Sequence, residues 1–174
     1  MPAVEFISAM GQHVSSVCVI TSAQNGKRVG LTATAMSSVC ADPPRLLVCV
    51  NKSGVSHEMI SSTGTFCVNV LAEAQDKVAK AFAGMMGKDF DRFSVGEWDE
   101  MVSSAPALKH ATAVFDCEVK QVIEQFSHSI FIGEVLAARH ARGQDTLLYG
   151  ARRFRSLRKT ISEFAGLSDE SLHF

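Results

Sequence analysis

Gln24-Asn25-Gly26-Lys27 lies between two β-rich runs. Asn-Gly is a strong short hairpin signal, since both residues tolerate the positive φ that a tight turn demands. The run before it, residues 14–22, holds Val14, Val17, Val19, Ile20 and Thr21; the run after it extends from Arg28 to about Val39. An antiparallel pair therefore opens the main body of the fold. The rest of the chain has to cover that pair.

The remaining pattern continues in hairpins rather than in β-α-β units. Asp42-Pro43-Pro44 turns the chain, because proline fixes φ and cannot donate to a ladder. Leu46–Val50 reads as a buried strand. Ser53 or Ser56 caps a short helix through Ile60 that ends near Gly64. Thr65–Leu71 is a strand, and Glu73–Ala83 a helix with Leu71, Val78 and Phe82 about two turns and then one turn apart, stopped by Gly84. Residues 84–107 are irregular and carry the single tryptophan, Trp98. Strands return at about 111–124, 129–139 and 146–150; residues 4–12 form a short helix, and the tail is helical or frayed. Strands outnumber helices. The expected class is mainly β with flanking helices, an antiparallel Greek-key-like barrel formed by a single domain over 1–174. A doubly wound nucleotide fold would need a strand feeding G-x-G-x-x-G, and neither that motif, Gly-x-Ser-x-Gly nor a P-loop occurs.

Charge and cysteine usage narrow the partners. The formal net charge of −1 gives no electrostatic footprint for nucleic acid or an anionic membrane. The N-terminus lacks a charged region followed by an apolar run, and no window is apolar enough to span a bilayer, so a cytoplasmic protein is expected. The five cysteines are odd in number and none form C-x-x-C; Cys18, Cys49 and Cys67 lie in apolar runs, where a thiol behaves as a small core group. Reduced thiols and no metal site are expected.

Two segments are candidates for chemistry. Gly30–Val39 combines strand character with few bulky side chains and supplies several hydroxyls. Such a strand lets a ligand approach the backbone; it equally describes a half-exposed strand in which Thr is simply a β-former. Asn51–Glu58 sits where a strand gives way to a helix, and free N–H groups beside Lys52 suit an anion. Plain capping, with Glu58 satisfying the dipole and His57 exposed, explains the same residues. His128 heads the apolar strand Ile130-Phe131-Ile132, where a ring can orient a substrate or border a turn. Asp89, Asp91, Glu97, Asp99 and Glu100 read as a solvated acidic loop.

An ordered set of segments over about residues 10–155 resembles the short-chain flavin reductase family. It comprises Gly30-Leu31-Thr32-Ala33-Thr34-Ala35-Met36-Ser37-Ser38-Val39, Asp42-Pro43-Pro44, Leu47-Val48-Cys49-Val50-Asn51-Lys52, Phe66-Cys67-Val68-Asn69-Val70-Leu71, Asp91-Arg92-Phe93 and His128-Ser129-Ile130-Phe131-Ile132-Gly133-Glu134-Val135. The resemblance implies an FMN-binding split barrel working as a homodimer, with FMN or FAD as flavin and NADH or NADPH as reductant. It places Thr32, Ala33 and Thr34 near the isoalloxazine with Ser37, Ser38 and Val39 close by. Asn51, Lys52, Ser53, Ser56 and His57 fall around the ribityl phosphate, and Arg92 and Phe93 reach a flavin, its own or the partner subunit's. His128 matches the histidine that seats the nicotinamide, but the Gly-Asp usual before it is Phe126-Ser127 here. Three activities remain open: a reductase supplying reduced flavin to a monooxygenase, one that keeps FMN and reduces a corrinoid, and a non-catalytic flavin-binding module.

Overall fold

The computed structural model describes residues 2–157, so the expectation for the tail lies outside the described residues. Helix α1 (Ala3–Met10) precedes strands β1 (Ser15–Ser16), β2 (Cys18–Gln24), β3 (Lys27–Ala33), β4 (Met36–Ala41) and β5 (Pro44–Asn51). Helix α2 (Val55–Thr63), strand β6 (Thr65–Val70) and helix α3 (Asp76–Phe82) come next. The rest is β7 (Trp98–Asp99), β8 (Ala107–Leu108), β9 (Ala113–Gln125), β10 (His128–His140), β11 (Leu148–Gly150) and β12 (Arg153–Arg155).

Seven strands form one antiparallel sheet in the order β3-β2-β6-β9-β10-β5-β4. The Asn25-Gly26 turn joins β2 to β3 with φ of 53° and 77°, as the hairpin signal requires. The run from Arg28 to Val39 is not one strand. It breaks at Thr34-Ala35, and its two parts, β3 and β4, occupy opposite edges of the sheet. Since two residues join those edges, the sheet must curl until they meet, and the small side chains of this run allow the bend. The barrel is split at that point. Small antiparallel sheets, β1-β11-β12 and β7-β8, flank it.

One core fills the barrel, with Ile20, Leu46, Val48, Val50, Phe66, Val68 and Phe131, and Ile60 of α2 plugs it. A second lies between the sheet and α3 and includes Val19, Leu71, Val78, Phe82, Leu108 and Val114. Strand β5 alternates, with Leu46, Val48 and Val50 buried and Leu47 and Cys49 half-buried on the outer face. It is a two-faced strand rather than the wholly buried one expected. Gly133 is needed for close packing, since a Cβ there would lie 2.5 Å from the Phe66 ring.

The segment 84–107 is anchored rather than loose. Asp116, fully buried on β9, accepts from Val102 N at 2.8 Å, Ser103 N at 2.7 Å and Ser103 Oγ at 2.6 Å. Buried Asn69 accepts from Leu108 N at 2.6 Å and donates to Val19 O at 3.0 Å. Asp99 is held by Arg139 through two hydrogen bonds of 2.9 and 3.0 Å, so this acidic residue is paired rather than merely solvated. The Arg139 guanidinium holds the Asp99 carboxyl below its ordinary range.

Candidate active site

A groove of about 610 Å³ opens on the outer face beside the split. Leu47 and Cys49 of β5 form one wall and Thr34–Ser37 another, while His13, Ser15, Ser16, Tyr149 and Arg152 complete the rim. The fold brings these together. Cys49 N donates to Ala35 O at 3.2 Å, which sets the break between β3 and β4 against β5. Ser15 pairs with Tyr149 between β1 and β11, carrying the post-helix segment and the β11–β12 turn to the same place. His13 Nδ1 lies 2.8 Å from Ser15 Oγ.

Beyond Cys49 the outward face of β5 continues to Asn51, roughly 6.6 Å further along a strand. Asn51 Oδ1 accepts from Ser53 N at 2.9 Å and from Ser53 Oγ at 2.8 Å, folding the chain into α2. Gly54 is the residue before α2 and supplies no side-chain cap. Neither Ser53 nor Ser56 caps the helix, so its opening N–H groups lack the side-chain partner expected. Across the ladder, Asn51 stands opposite His128, whose Nδ1 is 2.9 Å from Ser127 Oγ. Thr34, Ser37, Asn51, Ser53 and His128 thus share the outer face or its end.

The other expected residues go elsewhere. Thr32 Oγ1 donates to Ala79 O of α3 at 2.7 Å, and Ala33 packs toward the barrel core. These two can offer a ligand little beyond backbone. Ser38 and Val39 line a separate depression along β4. Lys52 Nζ is paired with Glu124 at 3.0 Å. Ser56 is buried, and His57 turns inward, with Nε2 2.9 Å from Ser129 Oγ and its ring edge-on to Phe131 at 5.2 Å. Helical periodicity, a signal this short segment does carry, puts Ser56 on the buried side of α2 with Ile60, one turn on. Arg92 Nη1 donates to Gly30 O at 3.3 Å, and the Phe93 ring packs against Phe82 and Trp98 at 5.0 and 5.1 Å with Arg28 above it. Within one chain, both are committed to closing the second core.

Sequence reasoning missed His13, Ser15, Tyr149 and Arg152, which are over 130 residues apart at the extremes and meet through β1–β11 pairing and the hydrogen bond of 2.7 Å that Ala151 N donates to Gly11 O. Cys49, expected as a core thiol, is half-buried in the groove wall. Its half-buried place stems from strand alternation with its buried neighbours Val48 and Val50, a pattern the sequence did contain.

The walls fit a flavin. Ala35, Leu47 and Cys49 offer an apolar slot for a planar ring, hydroxyls stand at its rim, and the strand leads to a helix start without a side-chain cap, suited to a phosphate.

Solved structures of this architecture define its class, the flavin reductase split barrels. The NADH:FAD oxidoreductase SgcE6 of Streptomyces globisporus matches with a TM-score of 0.81 and 32% identity over 87% of this chain and 91% of that one. BorF, the flavin reductase component of a bacterial two-component tryptophan halogenase, matches with a TM-score of 0.81 and 29% identity over 89% and 98%. The chain belongs to the flavin reductase like domain family, whose pattern matches residues 10–158. Among relatives, the FMN reductase (NADH) RutF of Pseudomonas syringae pv. syringae is 38% identical over 152 residues, 87% of this chain and 85% of that protein.

Proposed function

We propose that this chain is an NADH-dependent flavin reductase that works as a homodimer and delivers reduced flavin to a monooxygenase. The observation that carries this reading is the outer groove, an apolar slot continuous with a polar helix start, in a chain similar to named NADH-dependent FMN reductases. Similarity to the flavin reductase component BorF supports the two-component arrangement.

FMN, when bound, supplies the acceptor for a hydride from the reduced nicotinamide. The chain's own groups bind and align. Leu47 and Cys49 exclude water from the ring face they meet, and Thr34 and Ser37 present hydroxyl and backbone partners at its edge. Asn51 shapes the turn that directs Ser53 and the first N–H groups of α2 at the phosphate. His128, steadied by Ser127, orients the nicotinamide on the same face. Alignment and water exclusion serve a hydride transfer without a carboxylate pair or a triad.

The test is anaerobic. Protein is mixed with stoichiometric FMN, NADH is added, and flavin bleaching is followed before and after gel filtration. Bleaching and then separation of the flavin from the protein is expected; bleached flavin that stays bound would instead require a docking acceptor. Absence of bleaching overturns the reading. His128→Ala should raise KM for NADH while leaving FMN affinity within about twofold, and equal loss of both would remove His128 from the nicotinamide site.

A further inference from the structure

The turn between β9 and β10 contains only Phe126 and Ser127, and Phe126 is 97% exposed with φ of +41°. Positive φ at the first central residue and not the second is the pattern of a type II′ turn, a position that favours glycine. A bulky aromatic side chain there is strained and places its whole ring in water. Folding alone is better served by a small residue.

The tip is also fixed in place. Lys52 N donates to Ser127 O at 2.9 Å, holding the turn against the segment that leads from β5 into α2. On either side of the tip, Glu124, paired with Lys52 at 3.0 Å, follows the inner face with buried Ser129, and His128, whose ring meets Ser127, follows the outer face. The surroundings are charged and polar rather than a continuous apolar patch. They suit a ligand that joins a flat aromatic ring to hydroxyls and phosphates.

We infer that Phe126 is a stacking platform for the adenine of a dinucleotide, on a turn that the Lys52 backbone holds beside the start of α2. The inference rests on the flavin and nicotinamide chemistry of the proposed function. The adenine has two sources, FAD and NADH, and both carry it beyond the phosphate nearest their reacting ring. Stacking on an aromatic side chain accepts any such purine face.

Phe126→Gly tests this without threatening the fold, because glycine relieves the positive φ. Flavin fluorescence titration gives Kd for FAD and FMN. Calorimetry on the FMN-loaded protein gives Kd for NAD⁺ and nicotinamide mononucleotide, which do not react. Phe126→Gly is expected to melt no lower than the native chain and to weaken FAD, NAD⁺ or both by about 5- to 100-fold. FMN and nicotinamide mononucleotide should stay within about twofold, and Phe126→Trp should restore the affinity lost. Whichever dinucleotide weakens identifies the source of the adenine. Four unchanged Kd values, equal loss of FMN and FAD, or conversion of a dimer to a monomer would overturn the inference. Failure of the native chain to bind any flavin would overturn the functional reading and this one with it.

Discussion

Thiol chemistry separates the five cysteines by position. Burial pushes the Cys18 thiol up to about 11, against a smaller opposing effect of the Ser16 hydroxyl, and the Cys117 thiol up to about 12, with Asp116 adding to the rise. Cys67 is also raised well above the ordinary range, chiefly by burial. Raised values keep these groups protonated at neutral pH, and a thiol reacts only as its thiolate. Cys40 is exposed and Cys49 half-buried in the groove. A maleimide at pH 8 should therefore modify Cys49 in the native protein, and Cys40 to the extent that pairing along β4 leaves it open, read by peptide mass spectrometry, while the other three wait for unfolding. Saturating FMN should slow Cys49 at least tenfold and leave Cys40 unchanged. Labelling of Cys49 at the same rate with and without FMN would place the flavin elsewhere.

Elements are held in register by buried polar anchors more than by local propensity. Asp116 fastens residues 102 and 103 to β9 with three hydrogen bonds, and Asp116→Ala would leave those donors without it. A loss of about 2–4 kcal/mol is expected in urea unfolding, the range for a broken buried network. A loss below ~0.5 kcal/mol would mean the segment holds without it. The Asp99–Arg139 pair adds a pH-dependent attachment between β7 and β10. Because the folded carboxyl is depressed, its contribution is complete above the ordinary carboxyl value near ~3.9 and disappears as pH falls through the lower folded value. The pair is partly exposed, so its worth is under ~1 kcal/mol. Amide exchange in β7 and β8, corrected for intrinsic rate, should accelerate only below about pH 4, and the Arg139→Met variant should lack that transition.

At the scale of the whole molecule, the described surface leaves apolar groups that one chain does not cover. Helix α1 buries none of its residues and exposes Val4, Phe6, Ile7 and Met10 by 52–73%. Along β4, Val39 is 47% exposed beside a depression of about 750 Å³ lined by Met36, Leu46, Phe115 and Val135. An open edge strand with an apolar margin is a pairing surface. Sedimentation equilibrium should give the mass of two chains, and Val39→Lys should shift the equilibrium toward one chain with little change in melting of the barrel. A native protein that sediments as a single chain at micromolar concentration would remove the dimer from the proposal. Among the described residues, no helix is long and apolar enough to cross a membrane.

Local chemistry was enough to read the β2–β3 hairpin from Asn25-Gly26, the end of α2 at Gly64 and the antiparallel succession of strands. These depend on φ preferences and periodicity, which act over a few residues. The ordered motifs also pointed to the family. Tertiary structure alone decided that Gly30–Val39 divides into two strands at opposite edges, since the closure of a seven-stranded sheet sets that break. It alone turned Thr32 toward α3, His57 toward Ser129 and Phe93 into an aromatic cluster. Where such side chains point depends on which partner lies across the sheet or beneath the helix, and that is fixed by contacts dozens of residues away. The same long-range pairing, Ser15 with Tyr149, completes a groove that no stretch of sequence contains by itself.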